Sequence, residues 1–390
     1  MPSPALLMWS EDLLDYDFGA GHPMTPLRLR LTLDLLGDLD LLRHVDVRAV
    51  ETATDAELAL AHEPAYIEAV KAAGAGTPCP ERGLGLEDNP VFAQVHAAGA
   101  RIAGSTLGAV RAVWQGSHDR AVSLAGGMHH AMAGRASGFC VYNDVAVSIA
   151  WLLANGAERV AYVDVDAHHG DGVERTFWDD ERVLTISVHQ HPGSLFPGTG
   201  YPQDVGPAAA RGMAVNLALP AGTDGGPWLR GLEAVAAPLV AEFAPQVLVS
   251  QHGCDAHARD PLAGLDVSVD AQREAALLIA GLADAHAEGR WVATGGGGYD
   301  VAGVVPRVWA HLVAVAAGRP VGATTPLPQA WLERTRELAD VDVPLTMGDG
   351  HPVTLKPWNE GFNPDDAVDR AIMATRNAVF PWHGLDPLTA

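Results

Sequence analysis

Short runs of apolar, mostly β-branched residues recur along the chain, and each run ends in polar residues or glycine. Five of these runs predict buried parallel strands at Ala121–Ala125, Arg159–Asp166, Val183–His189, Gln246–Gln251 and Trp291–Thr294. Stretches with apolar residues three and four positions apart predict helices at Asp144–Ala154, Trp228–Phe243, Ala271–Ala287 and Val304–Ala317. This alternation predicts an α/β fold with a central, mostly parallel sheet.

Unusual polar residues follow four of the predicted strands. These clusters are Gly126–His130, Asp164–Asp171, Gln251–Asp255 and Gly295–Tyr299. Because open α/β sheets bind their ligands at the carboxyl ends of the strands, we expect the clusters to meet at one site.

The pattern changes towards the end of the chain. We expect residues 1–390 to form a single catalytic domain, with a core at about 16–317 and a packed C-terminal tail at 318–390, where prolines interrupt any long element. Gly83–Asn89 and Gly193–Pro207 are rich in turn residues and predict long surface loops that could form the rim of a site.

Composition narrows the class of protein. No apolar run reaches the roughly 18 residues needed to cross a bilayer, and Met1–Trp9 lacks the basic start of a signal peptide. Cys79, Cys140 and Cys254 are odd in number and have no C-x-x-C spacing, which argues against disulfides and a zinc knuckle. The net charge of −23 disfavours direct nucleic-acid binding. We therefore expect a cytoplasmic enzyme with no membrane partner.

One polar cluster has the residue types of a metal site. In an extended segment Asp164, Asp166 and His168 would share one face, so two of them could bind a divalent cation, although this spacing alone is typical of a solvated acidic loop. Asp255 offers a third ligand, but an aspartate that leaves a strand often caps a turn. Two carboxylates and one imidazole would leave the open position of a catalytic Zn²⁺ site, and the oxygen-rich set also suits Fe²⁺.

Two further clusters could supply a base and an oxyanion donor. If Asp164 and Asp171 accept hydrogen bonds from His129 and His130, each imidazole becomes more basic, as a general base requires. Four glycines precede Tyr299 and would let the backbone approach another group closely while presenting the phenol. A plain turn or a phosphate-binding loop is the alternative, but a phosphate loop would not usually close on tyrosine.

Taken together, six ordered motifs resemble the zinc-dependent histone deacetylase family, of the arginase/deacetylase fold, and within it the bacterial acetoin-utilisation deacetylases. They run from Tyr16 to about Trp309 and read F-G-A-G-H-P-M with Arg28, G-G-M-H-H, G-F-C-V-Y-N-D, D-V-D-A-H-H-G-D-G-V, F-P-G-T-G and G-G-G-G-Y. The resemblance implies a three-layer αβα architecture and hydrolysis of the acetyl (acyl) amide on the lysine side chain of proteins.

The resemblance also implies roles for individual residues. It makes Asp166, His168 and Asp255 the metal ligands, and the catalytic residues His129, His130, Asp164, Asp171 and Tyr299. Substrate-binding residues would be Asp88 at the rim and Gly138, Phe139, Phe196 and Leu262 along a tunnel. A structural K⁺ or Na⁺ would be bound by Asp164, Asp166, His168, Ser187 and Val188, and a second one by Phe177, Asp180 and Val183. Arg28 would line an internal channel for released acetate, or pair with a buried carboxylate.

Related activities remain as alternatives. An arginase-like enzyme needs further aspartates for a second metal, but Gly170 and Gly253 stand at those positions. An acetylpolyamine amidohydrolase would use the same metal site on a small acetylated amine, and a non-catalytic acyl-lysine-binding regulator would usually lack a key residue. We expect an acetylated protein as substrate, with acyl-CoA synthetase suggested by the family, and His130 as the base that activates water while Tyr299 holds the oxyanion.

Overall fold

A computed structural model describes residues 4–339, 341 and 343–389. It contains one eight-stranded sheet in the order β2-β1-β3-β8-β7-β4-β5-β6, and every neighbouring pair is parallel. The strands are β1 Ala5–Met8, β2 Val45–Arg48, β3 Arg120–Ser123, β4 Val160–Asp164, β5 Val183–Gln190, β6 Ala214–Leu219, β7 Val247–Gln251 and β8 Trp291–Thr294. The prediction of a mostly parallel α/β sheet is confirmed.

Helices cover the sheet in two layers. They are α1 Leu27–Asp38, α2 Asp55–Leu58, α3 Pro64–Gly74, α4 Val95–Trp114, α5 Asp144–Ala154, α6 Asp171–Thr176, α7 Gly225–Phe243, α8 Val269–His286, α9 Val305–Ala316, α10 Gln329–Ala339 and α11 Ala367–Val379. The main helix contacts link α1, α9, α8, α7 and α11 into one set and α3, α4, α5 and α6 into another. Strands between such layers are buried on both faces, and β4, β5 and β7 are accordingly buried along their whole length and begin with apolar residues.

The predicted strand Arg159–Asp166 ends earlier than the sequence suggested. Strand β4 stops at Asp164, because the Asp164 carboxylate accepts a hydrogen bond from the Asp166 backbone N–H at 3.1 Å. The Asp166 carboxylate then accepts one from the His168 N–H at 3.0 Å. These side chains replace the sheet as partners of the backbone and bend the chain over the end of the sheet.

Segment 318–390 packs onto the core and also contains helices. Three of its prolines lie close to the ends of α10 and α11, which have 11 and 13 residues: Pro328 precedes α10, and Pro364 and Pro381 lie on either side of α11. Helix α11 packs against α7 and β6. The Trp331 indole, from α10, donates a 2.8 Å hydrogen bond to the Leu31 carbonyl of α1. Within the described residues, no helix is both long and apolar enough to span a bilayer.

Candidate active site

The four polar clusters converge because the strands that carry them are neighbours. Strands β3, β8, β7 and β4 are adjacent in the sheet, and each is followed at its carboxyl end by one cluster. Parallel strands put these ends on the same edge, as the sequence predicted.

Asp166, His168 and Asp255 meet at the centre of this edge. One potential ligand atom from each lies within 4.8 Å of the others, and within the described residues this is the one group of three or more His, Cys, Asp or Glu side chains with such geometry. His168 Nδ1 lies 3.1 Å from Asp166 Oδ1 and 3.0 Å from Asp255 Oδ2. The three residues are buried.

Neighbouring donors hold the two carboxylates in place. Asp166 Oδ2 accepts hydrogen bonds from Gln251 Nε2 at 2.8 Å and from the Gly297 N–H at 2.9 Å. Asp255 Oδ1 accepts one from the Ala167 N–H at 2.8 Å. Such outer partners commonly orient metal ligands. Sequence reasoning assigned no role to Gln251, although its place at the end of a strand was visible.

The electrostatics of the cluster favour a cation. Burial, and then the neighbouring Asp166 carboxylate, raise the pKa of Asp255 to about 7 when the protein groups alone are considered. Two buried carboxylates this close repel one another, and a divalent cation between them would remove that cost. The donor set of two carboxylate oxygens and one imidazole nitrogen therefore fits Zn²⁺ or Fe²⁺.

His129 and His130 form two histidine–aspartate pairs that face each other. His129 Nδ1 lies 2.8 Å from Asp164 Oδ2, and His130 Nδ1 lies 2.7 Å from Asp171 Oδ1. The two Nε2 atoms are 3.0 Å apart. An ionised carboxylate can only accept, so each Nδ1 carries hydrogen, and one of the facing Nε2 atoms must also carry hydrogen to avoid opposing two lone pairs.

The surrounding charges decide which ring holds that hydrogen. Burial lowers the pKa of His129, but the Asp164 and Asp166 carboxylates outweigh it and raise the pKa to about 9. Burial, and then the charge on His129, lower the pKa of His130 to about 4. The protein groups alone therefore favour a protonated His129 beside a neutral His130. The expectation that both imidazoles become more basic holds for His129 and is wrong for His130, where burial and the charge on His129 outweigh the Asp171 carboxylate.

Asp144 holds the turn that carries both histidines. Its carboxylate accepts hydrogen bonds from the Gly127 N–H at 2.9 Å and the Met128 N–H at 2.8 Å, and from the Thr106 hydroxyl. The sequence contained Asp144 in a motif without revealing this role, because the turn comes 16 or more residues earlier in the chain.

The glycine run that ends at Tyr299 is held along its length. Arg28 Nη1 donates to the carbonyls of Gly296 at 3.0 Å and Gly298 at 3.1 Å, and the Tyr299 N–H donates to Asp260 Oδ2 at 2.8 Å. Arg28 thus binds backbone carbonyls, while a pocket of about 10 Å³ that it lines together with Tyr16 lies beside it. Of the two roles considered for Arg28, pairing with a carboxylate does not occur among the described residues.

A pocket of about 220 Å³ leads from the surface to these groups. Its lining residues are Asp88, His130, Gly138, Phe139, His168, Phe196, Leu262 and Tyr299. The structure therefore brings together all five residues expected to bind substrate, beside one metal-cluster residue, one histidine of the pair and the tyrosine. The Phe139 and Tyr299 rings meet edge to face, with centroids 5.7 Å apart.

The wall of the pocket at Gly138 and Phe139 needs an unusual backbone. Both have positive φ angles, +50° and +67°, and such a conformation is uncommon for an aromatic residue. A side chain at Gly138 would approach the His130 ring to 2.5 Å. The Phe139 carbonyl accepts a 2.8 Å hydrogen bond from the Tyr16 hydroxyl, which helps to keep the wall in this shape.

The positions that would carry a second metal's aspartates have no room for them. An added Cβ at Gly170 would lie 2.3 Å from Asp164 Oδ2, and one at Gly253 would lie 1.9 Å from Asp166 Oδ2. Both carboxylates are fixed by hydrogen bonds, so neither can move away freely. The site is shaped for these glycines.

The residues expected to bind monovalent cations also lie near one another in two groups. Asp164 and Ser187 are register partners on β4 and β5, with Val188 next along β5 and Asp166 and His168 just beyond β4. Phe177, Asp180 and Val183 lie on two consecutive turns. The Asp180 N–H donates to the Phe177 carbonyl at 3.0 Å, and the Val183 N–H donates to the Asp180 carbonyl at 3.2 Å. Cation binding at either group stays a prediction.

A larger groove of about 550 Å³ lies elsewhere, beside the first turns of α7 and α8. Its lining includes Asp224, Arg259 and Asp349 but no member of the metal cluster or the histidine pair. This groove is larger than the pocket of about 220 Å³, but the convergent ionisable groups select the smaller pocket as the candidate active site.

Fold and site together define an α/β protein with a candidate metal centre at the carboxyl edge of a parallel sheet, and the comparison with known families identifies its family. The family model described as histone deacetylase domain matches residues 22–316. The chain belongs to the histone deacetylase family.

Individual relatives narrow the resemblance. The chain is 39% identical to Acetoin utilization protein AcuC of Bacillus subtilis (strain 168) over 381 residues, which cover 96% of this chain and 98% of that protein. It is 35% identical to the protein of the same name from Staphylococcus xylosus, with 88% and 90% covered. A crystal structure of an HDAC homolog complexed with SAHA matches with a TM-score of 0.83 and 28% identity, covering 96% of this chain and all of that one. The suggested resemblance to acetoin-utilisation proteins is thus confirmed.

Proposed function

We propose that this protein is a metal-dependent amidohydrolase that removes acetyl groups from lysine side chains of proteins, as an acetoin-utilisation-type deacetylase. The observation that supports the proposal is the pocket of about 220 Å³, which is lined by His130, His168 and Tyr299 and would admit a long, thin acyl-lysine side chain. Asp166, His168 and Asp255 would hold one Zn²⁺ or Fe²⁺. When bound, this cation would act as a Lewis acid on the amide carbonyl and on water.

In this proposal the chain's own residues bind the substrate, exclude water and transfer the proton. Phe139 and Phe196 enclose the apolar lysine stem and exclude water, and Asp88 lies at the rim. His130 lines the pocket and is the neutral member of the histidine pair, so its Nε2 can take a proton from the attacking water once it no longer accepts the hydrogen bond from His129. The same nitrogen can then return the proton to the leaving amine.

His129 and Tyr299 would stabilise the charge that develops. A protonated His129 provides positive charge next to His130 without lining the lysine pocket itself. Burial raises the pKa of the Tyr299 phenol well above its usual value, so the hydroxyl keeps its hydrogen and can donate it to an oxyanion.

Three wider statements belong to the same proposal. Residues 1–390 act as a single catalytic domain, the enzyme works in the cytoplasm, and the physiological substrate is an acetylated protein such as an acyl-CoA synthetase. The relatives are named for acetoin utilization, and a metabolic enzyme as substrate agrees with that name.

The test is a substrate panel measured with and without a chelator. We expect acetyl-lysine peptides and acetylated acyl-CoA synthetase to be cleaved, activity to be lost with chelator and to return with Zn²⁺ or Fe²⁺, and free arginine to release no urea. Higher kcat/KM for acetylpolyamines than for peptides would favour the small-amine alternative. Binding of acetyl-lysine without any turnover would reject the enzyme in favour of a regulator.

A further inference from the structure

The loop from His257 to Leu262 lies between the pocket wall and the glycine run that carries Tyr299. Leu262 lines the pocket. Asp260, two residues earlier, accepts hydrogen bonds from the backbone N–H groups of Leu262 and Tyr299. We propose that Asp260 is a positioning residue that sets where the Tyr299 hydroxyl meets the substrate. This inference rests on the proposed function, because the role of Tyr299 comes from it.

The two oxygens of Asp260 have separate partners. Oδ2 accepts a 2.8 Å hydrogen bond from the Tyr299 N–H, and Oδ1 accepts a 2.9 Å hydrogen bond from the Leu262 N–H. Pro261, between them, has no N–H to compete. One carboxylate therefore ties the residue that contacts the lysine stem to the residue that would contact the oxyanion.

Burial makes the hydrogen bonds of Asp260 stronger than the neighbouring ion pair between Arg259 and Asp300. Asp260 is 8% exposed, and charge-assisted hydrogen bonds in such surroundings are among the strong ones. The adjacent residue Arg259 pairs with Asp300 at 2.8 Å, but the Arg259 side chain is 48% exposed, so that ion pair contributes little. Asp260 is thus the main connection between the two segments at this point.

Glycines alone cannot fix Tyr299. The run Gly295–Gly298 has no side chains to pack, so the tyrosine depends on hydrogen bonds to its backbone and on the contacts of its ring with Phe139 and with the Arg28 guanidinium, 5.9 Å from the ring centroid. Arg28 holds the carbonyls of Gly296 and Gly298, but the N–H of Tyr299 itself is bound by Asp260. Loss of that bond should let the phenol shift relative to the reacting carbonyl.

The experiment is a double-mutant cycle with Asp260→Asn and Tyr299→Phe. Asparagine keeps the shape but replaces one acceptor with an NH₂ group, so one of the two backbone N–H groups loses its partner. We expect Asp260→Asn to lower kcat on an acetyl-lysine peptide by roughly ten- to a hundredfold, because a misplacement of about 1 Å has effects of this size. We expect KM to change by less than about threefold, since uniform binding is kept.

The cycle separates positioning from general destabilisation. In the Tyr299→Phe protein there is no hydroxyl to misplace, so Asp260→Asn should lower kcat by less than about twofold there. Independent, multiplying losses would overturn the proposal, as would an unchanged kcat in Asp260→Asn alone. Asp260→Ser keeps an acceptor without adding the NH₂ group and serves as the second variant if the asparagine protein does not fold.

Asp366→Asn is the matched control. Asp366 also accepts two backbone hydrogen bonds, from Val368 and Asp369, but it does so at the start of α11 and does not line the pocket. The kcat of the Asp366→Asn protein should equal that of the wild type. A wild type that cleaves no acyl-lysine substrate would refute the proposed function, whereas an active wild type with an equally active Asp260→Asn variant would refute only the role of Asp260.

Discussion

Single residues show why the site needs a cation. Five aspartates in and around the site are each at most 8% exposed: Asp164, Asp166, Asp171, Asp255 and Asp260. The nearby groups that can carry positive charge are the imidazoles of the same cluster and the Arg28 guanidinium, which binds the carbonyls of Gly296 and Gly298. Protonated imidazoles can offset part of this negative charge, as the raised pKa of His129 indicates. A divalent ion would offset the rest, which links metal binding to the integrity of the site.

Removal of a carboxylate ligand should therefore remove the metal. We expect Asp166→Ala and Asp255→Ala to lose bound metal and turnover together, because each leaves two protein ligands at a site that needs three. Metal analysis of the purified proteins measures this. Asp171→Asn is the control, since it removes a buried carboxylate that pairs with His130 and should retain metal. Stoichiometric metal in Asp166→Ala or Asp255→Ala would show that the ligand assignment is wrong.

Tyr299 should matter for turnover and not for metal binding. Tyr299→Phe keeps the ring that packs on Phe139 and removes only the hydroxyl. Loss of one oxyanion donor typically lowers kcat about 100- to 1,000-fold with a smaller change in affinity. Turnover, metal content and affinity for a hydroxamate such as SAHA, which the solved relative binds, are measured on one preparation. Near-normal turnover in the metal-replete variant would contradict the role.

At the scale of elements, the sequence predicted what depends on local pattern. The five strands named from β-branched runs and the four helices named from apolar spacing all exist, with ends shifted by a few residues at most. Strands β1, β2 and β6 were not predicted. Strand β2 has three exposed residues out of four, so it lacks the apolar run that marked the others.

The hydrogen bonds that orient the site residues could not be predicted from local sequence pattern. Gln251, Asp144 and Asp260 act through backbone groups far along the chain, and only the folded sheet brings those groups near. The clusters that carry the proposed metal ligands and the histidine pair could be located from the sequence because they follow strands directly. The donors that orient them could not, since no spacing in the sequence marks which N–H a carboxylate will meet.

Gly253, which follows strand β7, gives a prediction about how closely the strand ends pack. Gly253→Ala would place a Cβ 1.9 Å from Asp166 Oδ2, so it should displace that carboxylate and lower metal occupancy and turnover. Gly281→Ala is the control, because Gly281 lies inside α8 with nothing within 4 Å of its added Cβ. That substitution should leave activity unchanged and stabilise the protein by up to about 1 kcal/mol. Metal titration and thermal unfolding test both, and a fully loaded, active Gly253→Ala protein would contradict the steric argument.

The whole molecule supports the site from a distance. The strands that carry the polar clusters occupy the centre of the sheet, with β2 and β1 on one side and β5 and β6 on the other. Segment 318–390 adds α10 and α11 to the layer that already contains α7 and α9, and none of its described residues lines the candidate active site. Its contribution should therefore be to stability.

Arg230 connects that segment to α7 and gives the prediction for the whole molecule. Its guanidinium binds the Asp369 carboxylate of α11 at 2.7 Å and the carbonyls of Lys356, Pro357 and Gly361 at 2.7 to 2.8 Å. The side chains of Arg230 and Asp369 are each 6% exposed. Arg230→Met would leave a buried carboxylate and three carbonyls without this partner, so it should lower the free energy of unfolding by about 3–5 kcal/mol.

Urea unfolding of Arg230→Met and Arg30→Met measures the difference between a buried and an exposed ion pair. Arg30 pairs with Glu11, and their side chains are 38% and 60% exposed, so its loss should lower the free energy of unfolding by about 0–1 kcal/mol. A lower midpoint at an unchanged slope would report lost stability and not a changed unfolded state. Because neither arginine lines the pocket, kcat measured well below the unfolding midpoint should match the wild type in both variants. Equal midpoints for the two variants would mean that the C-terminal segment is held mainly by its apolar contacts with α7 and β6, and that the buried ion pair adds little.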